Sequence, residues 1–243
     1  MEMGPGETEE CPMHQSLTWT PIGIEKMLHT LHKGLREHRA RLAPGDLHDT
    51  RKMDAWIEKV DEILQIIEGI RATVRPRVEA DLGFSPGTEE QLILSMFQPS
   101  TRNLFAEIEV HFRDHAGCAL SSEELLQMAA LPQAAETLAW IGDAALKIGV
   151  LPEIWTPQVA EAGVLTERRK AYESNANQAI LCDRWQLYDH RIHFDPEGPR
   201  ADETHVKGTL VESILGMIFL DGGLRAVARA ARLLRPAHNA EGL

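Results

Sequence analysis

Cysteine is scarce in this chain, and the three present, Cys11, Cys118 and Cys182, lie far apart. An odd, scattered set of thiols builds neither a disulfide framework nor a zinc cluster, so isolated reduced thiols are expected. Aromatic residues make up only 5% of the whole. Leu, Ala, Ile and Glu are abundant, and no convincing alternation of apolar and polar residues runs long enough for a strand, which favours helices over sheets. No stretch reaches the roughly 18 consecutive apolar residues of a membrane span. The best run, Ser213 to Leu220, is closed by Glu212 and Asp221. Glu2, Glu7, Glu9 and Glu10 stand where a secretory signal would have a basic start and an apolar core. A soluble, cytoplasmic protein with no membrane partner is the expectation. Positive charge is also short, with a formal net charge of −12. Any nucleic-acid partner must then be met by a local basic patch, or by metal ions that offset the carboxylates.

Hydrophobic residues reach 43%, enough for a sizeable core. Residues 1–20, rich in Gly, Pro, Glu and Thr, predict a flexible tail. Residues 21–95 predict a helical hairpin extension. In its first helix Ile24, Met27, Leu28, Leu31 and Leu35 recur at helical spacing. Ala43-Pro44-Gly45-Asp46 breaks that pattern. A second stripe, Met53, Trp56, Ile57, Val60, Ile63, Leu64, Ile67 and Ile70, predicts a helix from about Asp49 to Arg75, with Pro76 as its kink or end. Residues 96–243 then hold a series of shorter helices. Ser121 and Glu124 form a capping-box pattern. Ala134 to Val150 and Lys207 to Leu220 predict two buried helices, and Glu167 to Asp183 an amphipathic one. Asp221-Gly222-Gly223 ends the second buried helix, and a last short one runs from Leu224 to Leu234.

Both buried helices carry acids. Glu136 and Asp143 are two helical turns apart and share a face. Glu212 sits inside Leu210-Val211-Glu212-Ser213-Ile214-Leu215. An ionised acid in such a setting is costly unless it is paired or binds a metal. Gly142 and Gly216 would let the two helix backbones approach and bring Asp143 near Glu212. Spacing leaves two readings open. In one, the acids form a Mg²⁺ site that also accepts phosphate oxygens. In the other, Asp143 caps or pairs locally and Glu212 meets an Arg or Lys. A solvent-open cleft between the two carboxylates would favour the first; sealing of either against a cation would favour the second.

Four blocks in order, over most of the second half, resemble the ribonuclease III family. The segment Glu136 to Ala144 keeps Glu136, Leu138, Gly142, Asp143 and Ala144 of the N-E-R-L-E-F-L-G-D-A signature. Glu212 to Gly223 follows E-A-L-I-G-A-I-Y-L-D-G-G. Ser121 to Leu131 is similar to D-P-E-L-L-x-x-A-L, and the stretch from Leu165 resembles L-T-x-x-R-x-x-L-V-x-N. Three family acids are replaced, by Ala139, Thr209 and Val164. The Mini-ribonuclease III branch has a similarly reduced pattern, of the form L-A-L-A-Y-I-G-D-A and T-A-F-E-A-L-L-G. The stretch after Gly223 is too short for a double-stranded-RNA-binding domain, which that branch also lacks.

The resemblance implies an all-α fold, a ribonuclease III-like helical endonuclease domain preceded by the helical hairpin. It implies a homodimeric endoribonuclease acting on double-stranded or structured RNA, with no DNA substrate. Asp143 and Glu212 would hold Mg²⁺, or Mn²⁺ in its place, and Glu136 would assist. Arg168, Arg169 and Lys170, the densest basic run, together with Lys207, are candidate RNA-phosphate contacts; a solvated helix face is the alternative for the run, and pairing with an acid for Lys207. The competing reading is a catalytically degenerate RNA- or protein-binding module on the same fold. Asn175 is expected to cap or orient helices. Asp189 to Asp195 carries His190 and His193 without the partners a zinc site needs and is expected to form a polar loop or dimer surface.

Overall fold

Apolar spacing builds the first two helices. In the computed structural model, which describes residues 19–43, 45–113, 117–157, 161–196 and 202–236, α1 spans Ile24–Arg41 and α2 spans Leu47–Gly69. The expected tail lies almost wholly outside the described residues. All five stripe residues of α1 are buried, and so are Met53, Trp56, Val60, Ile63 and Ile67 of α2. The first N–H groups of α1 lack a side-chain cap from their own segment. Instead the backbone N–H groups of Ile22, Gly23 and Ile24 donate to the Glu90 carboxylate at 2.5, 2.8 and 3.3 Å. A carboxylate at a helix N-terminus is favourable both as acceptor and as charge.

Pro76 does not end the second helical stretch. The chain loosens into a π-turn over Ile70–Val74, and Pro76 then sits in the first turn of α3, Arg75–Leu82. A proline is tolerated in a first turn because its missing N–H has no partner to lose. The wider π-turn absorbs the break without reversing the chain. Gly83, with φ of 70°, closes α3, and Thr88 opens α4, Glu89–Ser95, with a capping box.

A short 3₁₀ turn at Pro99–Thr101 leads into α5, Arg102–Phe112. Ser121 and Glu124 form their capping box at the start of α6, Ser122–Ala129. Next come α7, Leu131–Gly149, and the single turn α8, Leu151–Ile154. The stretch expected as one amphipathic helix is two: α9, Ala162–Glu173, and α10, Asn175–Trp185. Ser174 adopts extended backbone between them and accepts a hydrogen bond from the Asn177 N–H. Asn177 in turn donates to the carbonyls of Tyr172 and Leu234, so the break is fastened to the end of the last helix. Finally α11 runs over Glu203–Ala231 and is interrupted at Gly223, whose φ of 62° and ψ of −165° divide it in two.

Among the described residues there is no strand, only one isolated parallel bridge between Phe97 and Ile192. The fold is all-α. Buried residues of α1 and α2 belong to the same hydrophobic cluster as those of α7, α10 and α11. Each such side chain contributes roughly 1.5–3 kcal/mol on leaving water. Asp81 on α3 also accepts from Trp185 Nε1 at 2.9 Å and from Arg184, both on α10. The Asp189 to Asp195 segment is mostly structural: Ile192 is fully buried and His190 Nδ1 lies 2.9 Å from the Gln186 carbonyl. Cys182 is buried and its thiol is pushed up to about 12, which leaves it unreactive. No helix among the described residues is long and apolar enough to cross a membrane.

Candidate active site at the crossing of two helices

The extensive contact between α7 and α11 is built on missing side chains. A Cβ on Gly142 would lie 1.8 Å from the carbonyl oxygen of Glu212, and one on Gly216 would lie 2.0 Å from the carbonyl oxygen of Leu138. Neither helix admits even a methyl group there. The crossing is fastened by Ser213, whose hydroxyl donates to the Ala135 carbonyl at 3.2 Å.

This contact sets Asp143 and Glu212 beside each other at the edge of the core. The Asp143 side chain is 37% exposed. Glu212 is half-buried and accepts from Gln178 Nε2 at 3.3 Å. Burial raises the Glu212 carboxyl above its ordinary 4.5; the Gln178 hydrogen bond opposes this and the charge of Asp143 adds to it. Gln178 is itself fully buried and also donates to the carbonyl of Glu173, which ties the end of α9 to Glu212.

Two further charged residues, absent from the sequence candidates, complete the surroundings. Lys147, one turn after Asp143 on α7, donates to Asp143 Oδ2 at 2.6 Å. Its ammonium is raised above its usual value, first by that hydrogen bond. Glu173, the last residue of α9, is raised by burial, eased by Arg169 and Lys147 and raised again by Asp143. Arg169 Nε stands 3.2 Å from Glu173 Oε1. The spacing of Lys147 four residues after Asp143 is a readable signal of a helical ion pair. Glu173 occupies the place of the Val in the L-T-x-x-R-x-x-L-V-x-N pattern, a second readable signal.

Asp143 is paired with Lys147 and Glu173 with Arg169, while Glu212, felt electrostatically by Asp143 and Lys147, has no cation of its own among the described residues. A half-buried surplus of negative charge made of oxygen donors fits a hard divalent cation. Among the described residues no three His, Cys, Asp or Glu side chains stand close enough to enclose a metal. The protein would thus supply one or two carboxylates, with water and phosphate oxygens completing the shell, the usual manner of holding Mg²⁺. Of the two outcomes that spacing left open, the structure contains part of each. Asp143 carries a lysine, but in a pair open to solvent. Glu212 meets an amide rather than a cation.

Glu136 is elsewhere. It is exposed, has no hydrogen bond or ion pair among the described residues, and lines a cavity of about 250 Å³ with Phe97, Asp195, His205, Thr209 and Ser213. That concavity flanks the helix crossing and does not lie between Asp143 and Glu212. Ala139 is buried at 5% exposure, so an acid in its place would need a partner or a metal. Val164 is 41% exposed on α9.

The four candidate RNA-contacting cations are all engaged. Arg168 donates to the Ile154 carbonyl at 3.2 Å, and Arg169 pairs with Glu173. Lys170 pairs with Glu167 at 2.8 Å, with both side chains well exposed. Lys207, 15% exposed, is clamped between Asp183 at 2.8 Å and Glu203 at 2.7 Å. Asn175 contacts His205 and abuts Gly208.

The outer face of α7 and α8 is apolar and open. Trp140 is 73% exposed, Ile148 52%, Leu151 45% and Trp155 60%. Their spacing puts Trp140 and Ile148 on one side of α7.

Residues 136–223, which span the crossing and every residue of this charged group, match the family model described as Ribonuclease III domain. No curated protein and no solved structure gave a match.

Proposed function

From the match of residues 136–223 to the Ribonuclease III domain model, we propose metal-dependent endonucleolytic cleavage of structured or double-stranded RNA. The observation that carries the proposal is the main-chain contact of Gly142 with Glu212, which puts Asp143 and Glu212 on adjoining stretches of two helices. Two acids on different helices are held together by a backbone contact that tolerates no side chain at Gly142. A close approach that leaves a carboxylate half-buried beside a second one costs stability, and a bound cation recovers it.

In this reading Asp143 and Glu212 hold Mg²⁺, or Mn²⁺ in its place. A bound divalent ion would supply charge stabilisation at the phosphodiester and a more acidic water. The chain's own residues do the rest. Gln178 fixes one oxygen of Glu212 and leaves the other to a metal. Glu136 presents an unpaired carboxylate near Thr209, on the flank where a substrate strand would run. Arg168, Arg169 and Lys170 lie on α9, next to the site. Ion pairs at the surface contribute only about 0–1 kcal/mol, so exchanging their acids for RNA phosphates is cheap for Lys170. Lys207 is the least available of the four, held by two acids and largely covered. A second copy of the chain would cover Trp140 and Ile148, and a two-fold pair would offer one site to each strand of a duplex.

One observation favours the other reading, a catalytically degenerate RNA- or protein-binding module: Asp143 already accepts an ammonium. A nuclease assay on structured RNA separates the two. Wild type is expected to cleave with Mg²⁺ or Mn²⁺ and to stop on chelation, and Asp143→Asn is expected to lose at least about 100-fold, the scale of losing a transition-state charge contact. No cleavage by wild type, with Asp143→Asn binding RNA and metal as wild type does, would sink the enzyme reading.

A further inference from the structure

We propose that Lys147 is a built-in counter-cation of the site, which sits on Asp143 when no metal is bound and is handed to Glu173 when a divalent cation takes Asp143. The inference rests on the metal-binding reading above.

The structure holds the first position, and an under-satisfied carboxylate stands as acceptor for the second. At the first, Lys147 Nζ and Asp143 Oδ2 are 2.6 Å apart, with side chains 43% and 37% exposed. This is a charge-assisted hydrogen bond open to solvent, easily exchanged. It also engages one of the two oxygens that Asp143 could offer a metal. The second position is Glu173. Its side chain is only 15% exposed, and its Oε1, ion-paired with Arg169 Nε at 3.2 Å, is buried and makes no hydrogen bond. A buried carboxylate oxygen left without a hydrogen bond is costly, so it is a ready acceptor. Lys147 and Glu173 already act on each other electrostatically without touching. Lysine suits this exchange: its ammonium is a compact charge on four rotatable methylenes. The long stem lets the charge move between two helices while α7 stays still.

Such a device has a definite consequence. Metal binding must displace an ammonium, so affinity is reduced relative to a site with an empty Asp143. Glu173 partly offsets that cost by accepting the displaced charge. Glu173 thus acts through Lys147 and is a positioning residue.

The test is direct titration with Mn²⁺, followed by its electron paramagnetic resonance signal, on the full chain. Wild type is compared with Lys147→Met, which keeps the stem and drops the charge, and with Lys147→Arg, Asp143→Asn and Glu173→Gln. Lys147→Met is expected to bind Mn²⁺ at least about tenfold more tightly, the factor set by about 1.4 kcal/mol of lost competition. Lys147→Arg stays near wild type. Glu173→Gln weakens binding several-fold in the wild-type background and changes it much less on top of Lys147→Met, because the two act as one unit. Lys147→Met binding no more tightly than wild type overturns the proposal, as does an equal effect of Glu173→Gln in both backgrounds. Asp143→Asn separates the two layers. If it titrates as wild type does, or no form binds Mn²⁺, the metal-site reading itself fails and takes this proposal with it. If it alone loses binding while Lys147→Met matches wild type, only the counter-cation fails.

Discussion

Gly142 and Glu212 touch through their main chains: a Cβ on the glycine would fall 1.8 Å from the glutamate's carbonyl oxygen. The side chain of Glu212 is therefore presented by a helix that cannot retreat from α7. Residue 143, next along α7, has no freedom to drift from it either.

Gly142→Ala is expected to destabilise the protein by more than about 3 kcal/mol, since backbone must move to admit the methyl group. Gly163→Ala is the matched control. It lies in the first turn of α9 with nothing within 4 Å of its would-be Cβ. There the substitution is expected to be neutral or to stabilise by up to about 1 kcal/mol through the unfolded chain. Urea unfolding of both variants checks the contrast; equal stability of the two would refute the close-contact account.

Trp140→Glu is expected to abolish self-association without harm to the monomer. At 73% exposure the indole adds little to the core, so stability should change by no more than about 0.5 kcal/mol. Sedimentation equilibrium would report wild type as a dimer and the variant as a monomer. Two identical sedimentation profiles would rule out this face as the dimer contact.

Glu109 gives a pH signature. Arg113 and then Ser122 hold its carboxyl down to about 2 from the ordinary 4.5. A carboxyl whose folded value lies below its unfolded one stabilises the fold above the unfolded value, and the contribution disappears as pH falls through the folded one. The window therefore runs from about 4.5 down to about 2. Glu109→Gln should be less stable than wild type at neutral pH, and the gap should close across that window. Denaturant midpoints measured from neutral to strongly acidic pH would show it; a constant gap would exclude Glu109 as a source of the acid sensitivity.

Asp81→Ala should cost about 1–3 kcal/mol, the price of a buried donor left without its acceptor, here Trp185 Nε1. Because Asp81 is on α3 and Trp185 on α10, hydrogen exchange should quicken in both helices together. Faster exchange confined to α3 would mean that the two segments open independently.

Much of this was legible in the residues. The stripes of α1 and α2 gave their buried faces, because a period of three and four residues fixes one side of a helix. Ser121 with Glu124 marked the start of α6, and the Gly142 and Gly216 pair announced a close approach of α7 and α11. The break at Ser174 was hidden because the amphipathic pattern runs on in phase across one extended residue. Of the two readings of Pro76, a kink or an end, the structure has an irregularity without an end: the π-turn before it has no sequence signature of its own. Lys147 and Glu173 left signals in the sequence, the helical spacing from Asp143 and the place of the motif Val, but neither signal names a role. Their significance depends on α9 lying next to α7, and only packing establishes that. Of the candidate RNA-contacting cations, Arg169, Lys170 and Lys207 pair with acids at the helical spacing the sequence displays, and only the Asp183 contact of Lys207 needed the packing of two helices to appear.

The glycine crossing also separates two things that usually vary together. Spacing here is set by main chain, and chemistry by whichever side chains flank it. Residue 209 is half-exposed and residue 164 is exposed, so an acid could be installed at either, as in Thr209→Asp, without moving the frame that holds Asp143 and Glu212. The crossing is in that sense a gauge block: the same fixed frame can be refitted with a denser or a sparser set of charges, one residue at a time.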